Sequence, residues 1–154
     1  MKLPTIKAKQ AQRGFTIVEL LIVIVVIGVL AGIVIVAYTG VTKKANQSAA
    51  IGNATSVQKV AESYNSENGY YPSLANLQSY SGYSRIPNGI SLGTLNPTAT
   101  DNKGTYMRYK EKGTSPNFTG GCIIYWDDVT SAVANPPKFV GDASSWNAGT
   151  STCG

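Results

Sequence analysis

The chain has 154 residues, 43% hydrophobic and 14% charged, with 13 Lys and Arg against 8 Asp and Glu for a formal charge of +5. Lys2, Lys7, Lys9 and Arg13 all precede Phe15 with no acid among them, so the rest of the chain is almost neutral. That balance excludes the basic face of a nucleic-acid-binding protein, with no direct nucleic-acid site evident, and the lack of any histidine excludes the commonest catalytic base and metal ligand.

Phe15–Tyr38 is a run of 24 residues, almost all apolar, and about 20 suffice for a helix to cross a bilayer. Four positives before the run, against Lys43 and Lys44 after it, predict a cytoplasmic N-terminus. One carboxylate, Glu19, stands inside the run. A charge within a membrane helix costs roughly 2.5–3.5 kcal/mol on insertion scales, so a chain that keeps one uses it. The competing reading is a secretory signal peptide cut after Val29-Leu30-Ala31. Against it, the apolar run continues through Ile33, Val34, Ile35 and Val36, and a carboxylate in that region weakens insertion for no return.

Gly14-Phe15-Thr16-Ile17-Val18-Glu19, behind a short basic leader and opening a long apolar helix, resembles the N-terminus of type IV pilins and the related type II secretion pseudopilins. The resemblance implies removal of residues 1–14 by a prepilin peptidase that cuts between Gly14 and Phe15 and methylates the new Phe15 amine. It implies that Glu19 pairs with that amine on a neighbouring subunit during assembly. A buried charge whose only partner lies in the next subunit rewards correct register. Many members of the family carry a proline in the second half of this helix; here Gly28, Gly32 and Gly40 are the only weak points. The Gly28–Gly32 pair also reads as a small-xxx-small packing face.

Beyond the run, residues 39–69 read as the amphipathic half of the same helix. Ile51, Ala54, Val57, Ala61 and Tyr64 recur at spacings of three or four, and Asn68-Gly69 followed by Pro72 stops the helix. From Phe15 to Asn68 this gives roughly 80 Å of helix. Tyr70-Tyr71-Pro72-Ser73-Leu74-Ala75-Asn76-Leu77 is similar to the segment that follows the long helix in the same family, with Ser73 placed to cap a short helical turn. Residues 78–105 read as a long variable connection.

Strands are expected at Thr105–Lys110, at Cys122–Trp126 and near Lys138–Val140, with Gly113–Gly121 as a long hairpin loop. Residues 70–154 would then form a head. The expected fold class is α+β: a long N-terminal helix, membrane-spanning in its first half, packed by its second half on a small antiparallel sheet, as in the pilin fold. Cys122 and Cys153 read as one extracytoplasmic disulfide tying the tail to a central strand, or else as two free thiols. Closing a loop of that size contributes roughly 3–4 kcal/mol in the chain-entropy view. In the family, a disulfide of this kind is commoner in pilins than in major pseudopilins.

No constellation points to catalysis, and no cofactor or metal is expected. Gly89-Ile90-Ser91-Leu92-Gly93 matches a nucleophile elbow, but that motif needs a histidine base. Asp101, Asp127, Asp128 and Asp142 could include a calcium ligand, as in some major pseudopilins, but they lack EF-hand spacing and read rather as solvated loop carboxylates. Asn46, Asn53 and Asn117 stand in N-x-S/T sequons, a cheap pattern in so Ser/Thr-rich a chain. Tyr64, Tyr70, Tyr71, Tyr80 and Tyr83 cluster loosely, mostly for core packing. The resemblance therefore implies the non-enzymatic structural subunit of a type IV pilus, whose partners are copies of itself, the membrane, the peptidase, an assembly ATPase and a platform protein; the alternatives are a type II secretion pseudopilin or minor pilin, and a membrane-anchored or secreted binding protein that does not polymerise. Its locations would be the inner membrane as a single-pass precursor with the head outside, then an extracellular filament.

Overall fold

A computed structural model describes residues 14–101, 104–134, 136–145 and 153; the basic leader lies outside the described residues. Helix α1 runs Ile17–Asn68, followed by α2 (Leu74–Ser79). The strands are β1 (Ser91–Gly93), β2 (Tyr106–Thr114), β3 (Asn117–Asp127), β4 (Ala132–Val133) and β5 (Lys138–Gly141), and a 3-10 turn covers Asp142–Ser145. The chain divides into two compact units, residues 1–38 and 39–154.

In the first unit the apolar side chains are exposed all round the helix, from Phe15 at 86% to Val26 at 50%. Such a helix has no stripe to pack; it is apolar on every side, the pattern of a segment that meets lipid or other helices rather than water. By length and composition α1 carries one candidate membrane span, none of it buried within the chain.

The second unit builds a core. Ala50, Ala54, Val57, Val60, Ala61 and Tyr64 are buried on one face of α1. The first five meet Met107, Tyr109, Ile123, Tyr125 and Val140 from the sheet and Leu77 from α2. Register explains the sheet's share: Met107 pairs with Tyr125, Tyr109 with Ile123, and Gly121 with Val140, so these residues line one face. The expected stripe is corrected at its start, where Ala50 is buried and Ile51 is 38% exposed. Gly104, at φ +83°, brings its backbone against Asn46 and Ala50, which leaves room only for a small residue. Asn53 Nδ2 fixes that approach by donating to the Gly104 carbonyl at 2.6 Å.

The α+β layout stands, but the sheet is mixed: β1 pairs parallel with β2, while β3 pairs antiparallel with β2, β4 and β5. The expected long loop at Gly113–Gly121 is also corrected. Pairing continues to Thr114–Asn117 across a short turn, with an irregularity at Lys112/Gly113. Gly113 takes it up at φ +110°, and Gly120 and Gly121 belong to β3 because neighbours press on their backbones. A Cβ at Gly120 would meet the Val140 carbonyl, and one at Gly121 would meet the Tyr109 ring.

Alternate residues of β3 face away from α1, yet Cys122 and Ile124 are fully buried. Cys153, bonded to Cys122 with a Cα–Cα distance of 6.1 Å, covers them together with Val133 and Phe139. Lys110 Nζ donates to the Cys153 carbonyl at 2.7 Å, and Lys112 Nζ pairs with Asp142 at 3.1 Å. The disulfide thus closes the second face of the central strand as well as anchoring the tail.

Tyr71 and Tyr109 couple this core to pH. Burial, then the hydroxyl's donation to Glu62 at 2.7 Å, pushes Tyr71 up to about 12, and burial raises Tyr109 further. Because the folded state holds these protons more tightly than the unfolded state, stability falls as pH rises from about 10 towards about 12. Urea unfolding of the full chain in detergent, followed by tryptophan fluorescence, should show a flat neutral range and that alkaline decline. Tyr71→Phe should make the decline shallower and lower neutral-pH stability by about 1 kcal/mol.

Candidate functional site

Gly14, Phe15 and Thr16 lie ahead of the first helical turn, and all three are exposed. Nothing lies within 4 Å of where a Gly14 Cβ would sit, so the peptide bond between Gly14 and Phe15 is open to a protease among the described residues. A residue without a side chain also lets an enzyme's backbone approach closely.

The helix that begins at Ile17 has a device that residue spacing alone displays. Thr16-Ile17-Val18-Glu19 is a capping box. The Glu19 amide donates to Thr16 Oγ1 at 3.2 Å, and the Thr16 amide and hydroxyl donate to Glu19 Oε2 at 2.9 and 2.8 Å. An S/T-x-x-E ahead of an apolar run is a recognisable signal, and it assigns Glu19 a second role beside the intersubunit pairing expected of it. Within one chain the carboxylate is therefore not an orphan charge. It satisfies helix-start donors, and the positive end of the helix favours it there.

Both bonds that Thr16 donates to the carboxylate go to one oxygen, Oε2. If the bond before Phe15 is cut, the new amine lies next to Thr16 in sequence, within the stretch that Glu19 already touches. An amine from a neighbouring helix would share that carboxylate or displace those bonds, each worth about 1.5–3 kcal/mol because the acceptor is charged.

The other sequence candidates are engaged elsewhere. Asp128 is 5% exposed and accepts from Asn46 Nδ2 at 2.8 Å, while Asp127 accepts from Gln47 Nε2 at 2.9 Å and from the Val129 amide. These two bonds pin the start of the head-packing half of α1 to the end of β3. Asp101 accepts from the Thr98 amide and hydroxyl, and Asp142 pairs with Lys112. Among the described residues no three His, Cys, Asp or Glu side chains are grouped to hold a metal ion. Ser91 opens β1 beside β2, not the strand-to-helix turn that a nucleophile elbow needs. Of the sequon residues, Asn46 and Asn53 spend their amides on Asp128 and Gly104, and Asn117 lies exposed at the start of β3.

The Prokaryotic N-terminal methylation motif matches residues 9–35, which bracket Gly14, Phe15 and Glu19. Two type II secretion system core proteins G are similar over part of the chain. The one from Escherichia coli (strain K12) is 36% identical over 43% of this chain and 46% of its own length. The one from Pectobacterium carotovorum subsp. carotovorum is 39% identical over 40% of each. The chain thus spans less than half the length of these relatives. The type IV major pilin protein PilE1 of Neisseria gonorrhoeae is 29% identical over 84% of this chain and 88% of its own length. No solved structure matches the chain.

Thr16→Ala removes the cap that holds Glu19. It should destabilise the helix start by about 1 kcal/mol. Amide exchange of residues 17–20 in detergent should accelerate roughly fivefold, with the head amides unchanged.

Proposed function

We propose that this chain, a member of the type IV pilin and type II secretion pseudopilin family, is the structural subunit of a type IV pilus. The observation that carries the reading is the juxtaposition at residues 14–19. An open Gly-Phe bond stands directly before a helix whose first half, to residue 38, is apolar on every side and carries one carboxylate, Glu19, in its first turn.

In this reading the chain is inserted as a single-pass precursor with its N-terminus in the cytoplasm and its head outside. A prepilin peptidase removes residues 1–14 and methylates Phe15. Residues 15–38 then leave the bilayer for the filament core, driven by a separate assembly ATPase and platform protein. Burial of an apolar side chain such as Leu or Ile stabilises by roughly 1.5–3 kcal/mol, so transfer from lipid to a packed helix core keeps most of that gain. Glu19 leaves its cap and pairs with the Phe15 amine of the neighbouring copy, which sets the axial register. The role is structural; the chain needs no catalytic group or cofactor for it.

The second reading is a pseudopilus subunit of a type II secretion system. The similarity to core protein G, over less than half of either chain, supports it. Two features favour the pilus. The similarity to a major pilin extends through the head, and Cys122–Cys153 closes the back of that head.

The test is the sheared surface fraction of cells that express the chain. The wild type should be abundant there. Glu19→Ala should reach the membrane in normal amount yet fall at least tenfold in the sheared fraction, and Gly14→Val should accumulate as uncut precursor. Wild-type chain confined to the membrane fraction, with a secreted enzyme lost on its deletion, would select the pseudopilus. Glu19→Ala filaments at wild-type yield would contradict the assembly role.

A further inference from the structure

The C-terminal end of α1 and the helix α2 flank an open surface groove of about 400 Å³ that the filament reading does not use. That volume lies in the range of small-ligand sites. Tyr64, Glu67, Asn68, Asn76, Ser79 and Tyr80 line it. Tyr64 is the hub: its ring meets Tyr80 edge-on at 5.3 Å between centroids, and Tyr70 at 5.8 Å. The Tyr80 ring is held in place, because Gly82 lies so close that any Cβ there would strike it.

The hydrogen bonds in the groove run one way. The Tyr80 hydroxyl donates to Glu67 Oε1, and the Ser79 hydroxyl donates to the Ala75 carbonyl at 2.9 Å. Asn68 Nδ2 donates to the Tyr64 carbonyl at 2.9 Å, and Asn76 Nδ2 donates to the Tyr64 hydroxyl at 3.1 Å. Each of these amides spends one N–H within the protein, while Glu67 Oε2 and the Oδ1 atoms of Asn68 and Asn76 accept nothing among the described residues. Nor does any Lys or Arg among the described residues pair with Glu67.

A lining of one carboxylate, free amide oxygens and tyrosine rings, with no Lys or Arg among the described lining residues, disfavours anions. It suits a cation that donates several hydrogen bonds and lies against aromatic rings, where exposed cation–π contacts are worth about 0.5–1 kcal/mol. We propose that this groove is a binding site for an alkylammonium group, supplied by a free polyamine or by a lysine side chain. Glu67 would supply the charge, Asn68 and Asn76 the acceptors and Tyr80 the ring.

The full chain in detergent micelles, labelled with ¹⁵N, would be titrated with n-butylammonium, spermidine and N-acetyl-lysine methylamide. n-Butanol, methyl glucoside and matched sodium chloride serve as controls. The expected result is saturable amide shifts confined to residues 64–82 with the amines alone. Glu67→Gln should weaken the affinity at least about fivefold, as loss of a facing charge implies. Asn76→Asp, in the first turn of α2 where an acid is favoured, should strengthen it, which keeps the proposal testable even where Glu67→Gln perturbs the fold. Tighter binding of spermidine than of butylammonium would identify a polyamine as the ligand. Equal binding of butylammonium and the lysine derivative, with no gain for spermidine, would identify a lysine side chain. No saturation in the millimolar range, equal shifts with butanol or methyl glucoside, or indifference to both substitutions would overturn the proposal.

Discussion

Water is a poor solvent for residues 15–38, and nothing within the described chain covers them; every other feature follows from that constraint. More than a dozen Ile, Leu and Val side chains in this stretch are at least half exposed. A monomeric soluble protein rarely shows an apolar patch of this extent. Lipid satisfies such a surface first, and copies of the same helix satisfy it equally well, because both are apolar on all sides. The helical conformation is required in either setting, since backbone groups in an apolar medium must be paired within the segment. A single carboxylate near the start of the run is then the one group that distinguishes one axial position from another.

The same helix obeys a different rule after residue 39. There its buried face is built from Ala50, Ala54, Val57 and Ala61, small residues that let a sheet approach closely. Polar side chains beside that face reach across to the head: Asn46 to Asp128, Gln47 to Asp127, Asn53 to Gly104 and Gln58 to the Phe139 carbonyl at 2.9 Å. Packing alone leaves rotation and sliding of a smooth alanine face weakly specified. Four directional bonds along 13 residues specify both.

How much of this was legible depended on the range over which each signal acts. Local chemistry was readable. Ser73 caps α2 through the Asn76 amide at 3.1 Å, Leu77 is fully buried, and Asn68-Gly69 ends α1 with Gly69 at φ +79°. Lys138–Gly141 appears as a strand close to where alternation placed it. The capping box at Thr16–Glu19 was equally local; a carboxylate that already has an expected intersubunit partner hides its intrachain one. Long-range pairing was not readable. Ser91–Gly93 has three residues and is a strand only because Tyr106–Arg108 lies beside it. Gly120 and Gly121 look like loop residues until Val140 and Tyr109 are seen against their backbones. The acceptor-rich groove at Glu67 arises from hydrogen-bond direction, which composition does not carry.

These ranges also explain how the similarity to known proteins is distributed. Residues 9–35 match a family model, and a helix that is apolar on every side with one carboxylate at its start is a pattern few sequences meet. The head must only fold on an alanine face and close its back, for which many sequences suffice. The central claim concerns residues 14–19, and the mass of the mature N-terminus tests it most directly. Tryptic mass spectrometry of chain recovered from the cell surface should give a first residue of Phe15 bearing one added methyl group. A chain that begins at Gly32, or one that keeps Met1, would contradict the account.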